Sequence, residues 1–335
     1  MRGRNIGGSK HIKRNHVGRR QELQECKICG ESYDLEEDFL KHIRYEHKLS
    51  QASYFQEHHP RYDKHTGEII LFKSRDFYFD NQFNDKSSLK AWLTKQPISV
   101  QQEWCKEALA KRREEKGLVY TPGQTELRTI MIPSANYLND IFGDYYKVCA
   151  EIGYRNKYQP LKGAFPFYPI DRARNRIIID SREQKPLLFE NFETVTRKLN
   201  EGDYALENES LSFGTRIERK SMPDFYGTLS TYNYDRFVRE IDRIKHKGLK
   251  MVVLIEGSIE EAYSLPSLGK YREMKIGPEY VFHKMREVIQ EFPFIQFLFA
   301  KNREDSVKIV EILLQSRGEF SQYDLQLTYD MGRLI

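Results

Sequence analysis

Two carboxylates and one lysine in the C-terminal half have the residue types that phosphodiester hydrolysis requires. Asp203 follows a glycine, and Glu218 and Lys220 lie two residues apart in the β-like segment TRIERK. Alternate side chains of a strand share one face, so Glu218 and Lys220 point the same way. Carboxylate oxygens bind hard cations such as Mg²⁺ or Mn²⁺. The lysine would orient water or offset the charge that builds up during the reaction.

An isolated E-x-K is more often a surface ion pair than a metal site. Here it is accompanied by Gly202-Asp203 upstream, by Asp180-Ser181-Arg182-Glu183 after an apolar run, and by the full pattern E-R-K-x-x-x-D that ends at Asp224. Residues 173–318 therefore resemble the nuclease domain of the XPF family, whose hallmark is G-D followed by E-R-K-x-x-x-D. In its metal-site logic the region is also similar to the wider PD-(D/E)xK nucleases.

The resemblance assigns roles to the matching residues. It implies Asp203 and Glu218 as ligands of Mg²⁺ or Mn²⁺ and Lys220 as the catalytic lysine. It implies Asp180 and Glu183 as further acids of the pocket, which would bind water or a second ion.

Three more residues match or lie near the motif. Arg219 and Arg236 are candidates for DNA contact, although a structural role for Arg219 and an exposed helical charge at Arg236 are equally compatible with the sequence. Asp224 is a candidate cap of a helix that begins near Phe225.

The chain departs from the family after the nuclease domain. Cellular XPF-type nucleases carry a tandem helix-hairpin-helix domain there, whereas only a tail at 319–335 follows here. Preference for DNA junctions is therefore open. XPF-type domains commonly dimerise, and the amphipathic helices expected within 278–316 would serve a homodimer or the core of one subunit equally well.

The elements that position these side chains follow from the hydrophobic pattern. Apolar or alternating runs predict strands at 176–180, 193–199, 215–220, 251–257 and 294–300, and helical periodicity predicts helices at 278–291 and 304–316. Strands that alternate with helices predict an α/β fold, a mixed sheet flanked by helices with a restriction-endonuclease-like nuclease core.

A second constellation lies near the N-terminus. Cys26, Cys29, His42 and His47 have the spacing of a two-Cys, two-His zinc finger within 21–50. So small a unit buries too little surface to fold alone, so Zn²⁺ would supply its folding free energy. DNA reading and a structural or protein-docking role are equally compatible with this finger.

Other segments have less specific patterns. Residues 1–20 are basic and free of acids, which favours a flexible phosphate-binding arm over a plain solubilising tail. Residues 117–160 form a helical module whose segment 133–158 resembles the short DNA-associated repeats beside homing and phage endonucleases. Its alternative is a helical packing module that supports the nuclease core. Residues 51–116 are unassigned, and the pattern at 161–172 is typical of a linker.

Composition narrows the classes of protein further. A 39% hydrophobic, 31% charged chain of 335 residues supports more than one globular unit, and its net charge of +5 is weak support for nucleic acid. No apolar run reaches the roughly 18 residues of a membrane span, and the N-terminus lacks a secretory signal. Cys105 and Cys149 suit buried, reduced thiols, so we expect an intracellular, cytoplasmic protein without a membrane partner.

The leading hypothesis is a metal-dependent endodeoxyribonuclease, with branched or flap DNA as candidate substrates. The alternative is a non-catalytic DNA-binding or assembly protein on a nuclease scaffold, and an RNA-directed nuclease ranks third. The short accessory modules suggest a phage or prophage origin, which would place the protein in the host cell.

Overall fold

The computed structural model describes residues 24–172, 174–264 and 276–335. The basic arm expected at 1–20 lies outside these ranges. The chain folds as two compact units, Met1–Trp92 and Leu93–Ile335.

In the first unit, the segment for which the sequence predicts a finger, 21–50, shares its described core with the segment that follows it. A bridge between Glu25 and Ser32 precedes its first helix. Its helices are α1 (Glu36–Tyr45), α2 (Gln51–His58), α3 (Arg75–Asp80) and α4 (Lys86–Leu93), the last of which runs into the second unit. The apolar face of α1 packs against aromatic side chains of α2 and α3, and the fully buried aromatic members of this core are Phe39, Tyr54, Phe55 and Tyr78. Residues 51–80, which have no assignment from sequence, thus share one core with the finger.

A buried aspartate organises the rest of the first unit. The Asp63 carboxylate accepts hydrogen bonds from the backbone N–H groups of His65, Thr66 and Asn84 and from the Ser88 hydroxyl. Only 2% of Asp63 is exposed. A buried carboxylate with so many donors links the loop at 63–66 to the start of α4.

The second unit is built on one six-stranded mixed sheet. Its strands are β1 (Ile177–Ile179), β2 (Thr194–Thr196), β3 (Tyr204–Leu206), β4 (Thr215–Ser221), β5 (Lys250–Glu256) and β6 (Ile295–Ala300). Their order is β2-β1-β3-β4-β5-β6, with β3 antiparallel to both of its neighbours and the other pairs parallel. The strands predicted from sequence are confirmed.

Helices cover both faces of this sheet. The helices of the second unit are α5 (Ile98–Lys116), α6 (Gln124–Arg128), α7 (Ala135–Phe142), α8 (Tyr145–Ile152), α9 (Glu209–Ser212), α10 (Met222–Leu229), α11 (Thr231–His246), α12 (Ile259–Ser264), α13 (Pro278–Glu291), α14 (Arg303–Leu314) and α15 (Leu325–Asp330). Buried side chains of α10, α11 and α13 pack on one face, and those of α14 and α15 pack on the other. The predicted α/β class, a mixed sheet flanked by helices, is confirmed.

The helical module predicted at 117–160 contains the expected turn. The Ser134 hydroxyl accepts from the N–H of Tyr137 and caps α7, and Gly143 takes φ 77° before α8. That positive φ suits glycine, which has no Cβ.

The module also forms hydrogen bonds with the sheet and one of its covering helices. The Thr125 hydroxyl donates to the carbonyl of Phe297 in β6, and Gln290 of α13 donates to Glu126. The segment is therefore part of the second unit, while its predicted domain boundaries stay predictions.

The C-terminal residues complete the core. Leu325, Tyr329 and Leu334 are buried with α14 and β6, and the Gln296 amide oxygen accepts from the N–H of Leu325. Residues 319–335 are thus packed rather than a free tail. Within the described ranges, no helix combines the length and hydrophobicity that a bilayer crossing needs.

Candidate active site and metal centre

Strand β4 presents Glu218 and Lys220 together. Their neighbours on β5 are Val253 and Ile255, which belong to the core that α10, α11 and α13 cover. Glu218 and Lys220 therefore face that side of the sheet, as the alternation predicts. Lys220 Nζ lies 2.7 Å from Glu218 Oε1, and 12% and 14% of the two side chains are exposed. Low exposure strengthens this ion pair relative to one in water.

Asp203 reaches the same centre from the turn before β3. Its backbone N–H bonds to the carbonyl of Ile217, and its Oδ2 accepts from the N–H of Arg219 at 2.8 Å. Gly202 allows this close approach: it has φ 72°, and a Cβ there would lie 3.0 Å from the Ile217 carbonyl oxygen. The chain thus places the Asp203 carboxyl directly beside β4.

The electrostatics of Asp203 indicate two carboxylates in one pocket. Burial, and then the negative charge of Glu218, raise the pKa of Asp203 to about 8. Like-charged carboxyl groups that share a buried site are a common signature of a functional centre. A divalent cation would relieve their repulsion, so the donor set fits Mg²⁺ or Mn²⁺.

Both carboxylate oxygens of Asp180 accept hydrogen bonds from neighbouring groups. Asp180 is 1% exposed. Oδ1 accepts from the N–H and Nε of Arg182, and Oδ2 accepts from Arg182 Nη2 and the N–H of Leu199. Its carboxylate oxygens therefore tie the loop after β1 to the segment after β2.

Glu183 and Arg219 form a buried pair on the other face of β4. The Arg219 guanidinium donates to Glu183 through Nε and Nη2, at 3.1 and 2.8 Å, and through Nη1 to Glu256 at 3.0 Å. Arg303 of α14 also bonds to Glu256. Only 8% of the Arg219 side chain and 6% of that of Glu183 are exposed. Arg219 therefore links β4 to its surroundings, whereas Arg236 of α11 is exposed.

The helix after β4 begins earlier than expected. It starts at Met222, and Ser221 is its cap, since the Ser221 hydroxyl accepts from the N–H of Asp224. Asp224 therefore occupies the first turn, where its carboxylate accepts from the same hydroxyl. The prediction that Asp224 caps a helix starting near Phe225 was wrong, because the serine hydroxyl is the nearer acceptor.

Two acids near this centre have no signal in the motif. Glu256 ends β5 and pairs with Arg219 and Arg303, and Glu240 lies on α11. Burial and the charge of Glu218 raise the pKa of Glu240. The helical period places Glu240 one turn after Phe237, a core residue, and that spacing is the available clue in the sequence.

The comparisons with known proteins decide the family of this region. The ERCC4 domain model matches residues 179–313. Residues 179–313 are an ERCC4 domain. This confirms the resemblance to the XPF-family nuclease domain, which the sequence places at 173–318.

Two solved structures are similar to the chain at low identity. XPF from Aeropyrum pernix in complex with DNA has 18% identity and a TM-score of 0.32, over 42% of this chain and 64% of that chain. XPF from Aeropyrum pernix alone has 18% identity and a TM-score of 0.31, over 42% and 59%. The chain thus spans less than two thirds of either protein. No curated protein matches the sequence.

Outside the ERCC4 domain, the first unit brings its four predicted zinc ligands together. The ligand atoms of Cys26, Cys29, His42 and His47 all lie within 4.8 Å of one another. Cys26 Sγ lies 3.3 Å from His47 Nε2, Cys29 Sγ lies 3.3 Å from His42 Nε2, and the two Nε2 atoms are 3.0 Å apart. Such separations are close to the edges of a tetrahedron around Zn²⁺. Among the described residues, this is the one group of three or more His, Cys, Asp or Glu side chains so arranged.

The surroundings of this cluster fit a closed metal site. His42 Nδ1, on the ring side away from the cluster, lies 3.4 Å from a Glu31 carboxylate oxygen, where it would orient the ring. The start of α1 is acidic, and Glu36 there pairs with Arg75 at 2.6 Å. That end of the finger helix is therefore engaged within the first unit.

Proposed function

We propose that the chain is a metal-dependent endodeoxyribonuclease that hydrolyses DNA phosphodiester bonds. Its catalytic residues would be Asp203, Glu218 and Lys220. The observation that carries the proposal is that these three side chains converge beside β4. Lys220 Nζ lies 2.7 Å from Glu218 Oε1, and the pKa of Asp203 is raised. An ERCC4 domain around them supports the same reaction class.

The side chains divide the chemistry between them. A bound Mg²⁺ or Mn²⁺ would polarise the phosphoryl oxygen and lower the pKa of water. Asp203 and Glu218 would hold the cation, because their negative charges are close together in one pocket. Lys220 would place a positive charge where negative charge builds up on the phosphate. Asp180 and Glu183 would support this centre through Arg182 and Arg219.

The substrate proposal is DNA, with branched or flap structures as the first candidates. Arg236 is exposed on the helix beside the centre and is a candidate phosphate contact. We also propose Zn²⁺ at the Cys26, Cys29, His42 and His47 cluster, and a homodimer through the ERCC4 domain as an assembly to be tested.

The test is cleavage of a panel of flap, branched, single-stranded and linear duplex DNA by the zinc-loaded full chain with Mg²⁺ or Mn²⁺. We expect Lys220→Gln and Asp203→Asn to lower the cleavage rate by about 10²–10³-fold, the range for one charge-stabilising group. Lys308→Gln is the matched control, since Lys308 is exposed on α14, across the sheet from the centre. Undiminished cleavage by either variant would refute the site.

A second candidate function follows from the ion pairs that Asp180 and Glu183 form with Arg182 and Arg219. That arrangement also suits a non-catalytic DNA-binding or assembly protein that keeps the nuclease scaffold. This alternative predicts salt-sensitive DNA binding and no metal-dependent cleavage of any DNA in the panel. Matched RNA substrates test the third hypothesis, an RNA-directed nuclease.

A further inference from the structure

Lys220 needs a second acidic partner at the proposed site once Glu218 binds a cation. Lys220 Nζ donates to Glu218 Oε1, an oxygen of a proposed cation ligand. When Glu218 turns its oxygens to a cation, the ammonium of Lys220 loses that partner. The Lys220 side chain is only 12% exposed, so water replaces the partner poorly. A second acid near Lys220 would meet this requirement.

Helix α11 supplies an acid on the correct side of the sheet. Its Phe237, Ile241 and Ile244 are buried in the core against β5, on the face to which Glu218 and Lys220 point. Lys220 Nζ lies 5.9 Å from the Phe237 ring centre. Glu240 follows Phe237 by three residues, so both side chains share one side of the helix.

Glu240 is half-buried, and its charge acts on the centre. Besides its burial, the charges of Glu218 and Lys220 act most strongly on its ionisation, ahead of those of Arg243 and Arg236. Arg182, from the loop after β1, also interacts with Glu240, but the Arg182 side chain is 62% exposed and already bonds to Asp180. Lys220 is therefore the most enclosed of the cations that act on Glu240.

We propose that Glu240 is a positioning residue of the nuclease site, the carboxylate that holds the Lys220 ammonium in place when Glu218 binds the cation. This inference rests on the proposed function. It assigns Glu240 to Lys220 rather than to the cation. It therefore predicts a defect mainly in the rate of the chemical step, with a much smaller loss of metal affinity than a cation ligand would show.

The experiment uses the zinc-loaded full chain and the DNA that the wild-type protein cuts best. Glu240→Gln is compared with Asp242→Asn, an exposed acid two residues along the same helix. We expect Glu240→Gln to lower the single-turnover rate at saturating Mg²⁺ by about 10- to 100-fold, the scale of a misplaced catalytic group. Glu240→Asp should recover part of the rate, and Asp242→Asn should cut like the wild type.

Two further measurements separate positioning from metal binding. Calorimetric titration with Mn²⁺ should show a much smaller loss of affinity for Glu240→Gln, which removes only a nearby charge, than for Glu218→Gln, which removes a ligand. In a double-mutant cycle, Glu240→Gln should add little to Lys220→Gln, because both changes remove one interaction. A crystal structure of the Mn²⁺-bound protein should place Lys220 Nζ within hydrogen-bond distance of the Glu240 carboxylate.

Several outcomes would overturn the inference. Cleavage by Glu240→Gln within twofold of Asp242→Asn would remove Glu240 from the site. A loss of Mn²⁺ affinity in Glu240→Gln as large as that in Glu218→Gln would make Glu240 a metal ligand instead, and additive losses in the cycle would separate it from Lys220. If the wild-type chain cuts no DNA in the panel, both the proposed function and this inference are refuted. That result is distinct from the three outcomes above, which concern Glu240 alone.

Discussion

The two candidate metal centres of the molecule are built in opposite ways. In the finger, two cysteines and two histidines of one short segment bring their ligand atoms within 4.8 Å of one another. In the ERCC4 domain, the carboxylates come from separate strands and the loops beside them, and two of these acids, Asp180 and Glu183, are already bound by arginines.

The difference reflects what each centre has to do. A structural zinc site is closed by four protein ligands, so its metal adds to stability. A hydrolytic centre leaves coordination positions for water and substrate, so fewer protein ligands hold its metal. We therefore expect changes in the finger to alter folding and changes at Asp203 and Glu218 to alter catalysis.

The largest effect expected is loss of the zinc. Structural zinc contributes about 10–16 kcal/mol to small metal-dependent units. Cys29→Ser, or chelation of the wild type, should therefore unfold the finger and expose the aromatic core it shares with residues 51–80. Hydrogen exchange should show loss of protection in residues 24–92, the described part of the first unit, and retained protection in the ERCC4 domain.

Cys105→Ala, at a buried thiol of α5, is the control for this experiment and should keep its zinc content. Retained protection in the finger after chelation would contradict the metal's structural role.

The next effect concerns the acids that are bound by arginines. Arg219→Met should lower the free energy of unfolding by about 3–5 kcal/mol, because it leaves the buried Glu183 without its partner. Arg197→Met is the control, since its pair with Glu207 is more exposed and 3.8 Å long, and exposed pairs contribute at most about 1 kcal/mol. Urea unfolding measures both variants, and equal losses would show that the buried pair is not a special support of β4.

The sequence predicts the two centres to different extents, because the residues of each centre are separated by different distances along the chain. The finger ligands follow from spacing alone, and all four converge. Strand and helix positions are also predicted well where periodicity is long: the helix predicted at 278–291 is α13, Pro278–Glu291. Residues 51–80 have no such signal, because their aromatic side chains pack on the finger without a regular period.

The candidate centre in the ERCC4 domain is predictable only in part, for a different reason. Asp203, Glu218 and Lys220 are located by their motif and by strand alternation, and these residues do converge. The partner of Glu183 is hidden in the sequence, because Arg219 approaches it from a separate strand. Glu240 is equally hidden, because only the packing of α11 on the sheet brings it near Lys220.

A smaller effect is expected in the part of the first unit that lies outside the finger. Burial alone would raise the pKa of Asp63, but the Ser88 hydroxyl and three backbone N–H groups outweigh it, so this pKa is lowered. The carboxylate therefore stabilises the fold above the pKa of the unfolded chain, about 4, and this stability is lost as pH falls through the lower folded value. Asp63→Asn should cost about 1–3 kcal/mol at pH 7.

This change is expected to leave the zinc content intact, which separates it from the loss of the metal. Its cost should shrink as the pH falls below about 4, and denaturant unfolding at several pH values measures it. Asp80→Asn, at an exposed acid that ends α3, is a comparison variant for which we expect a smaller cost. A constant cost at all pH values would mean that the Asp63 charge is not what the four donors stabilise.

The smallest expected effect is an increase in stability, caused by Asp203→Asn, whereas the changes above all lower stability. It is the most direct test of the difference between the two centres. The pKa of Asp203 is raised to about 8 by burial and by Glu218, so the folded protein keeps a proton that the unfolded chain releases at about pH 4. Stability from this group is therefore fully present below the unfolded pKa and declines as the pH rises through the folded value. Asp203→Asn should remove this decline and stabilise the zinc-loaded protein by about 0.5–2 kcal/mol at pH 7 without magnesium, the usual range when a strained functional site is relieved.

The substitution preserves the local hydrogen bonding, because the amide oxygen that replaces the Asp203 carboxylate oxygen can still accept from the N–H of Arg219. Thermal unfolding at several pH values on both sides of neutrality measures the effect, and added Mg²⁺ should stabilise the wild type but not the variant. A destabilised Asp203→Asn protein would mean that Asp203 supports the fold as the finger ligands do, and that the two centres differ in chemistry but not in design.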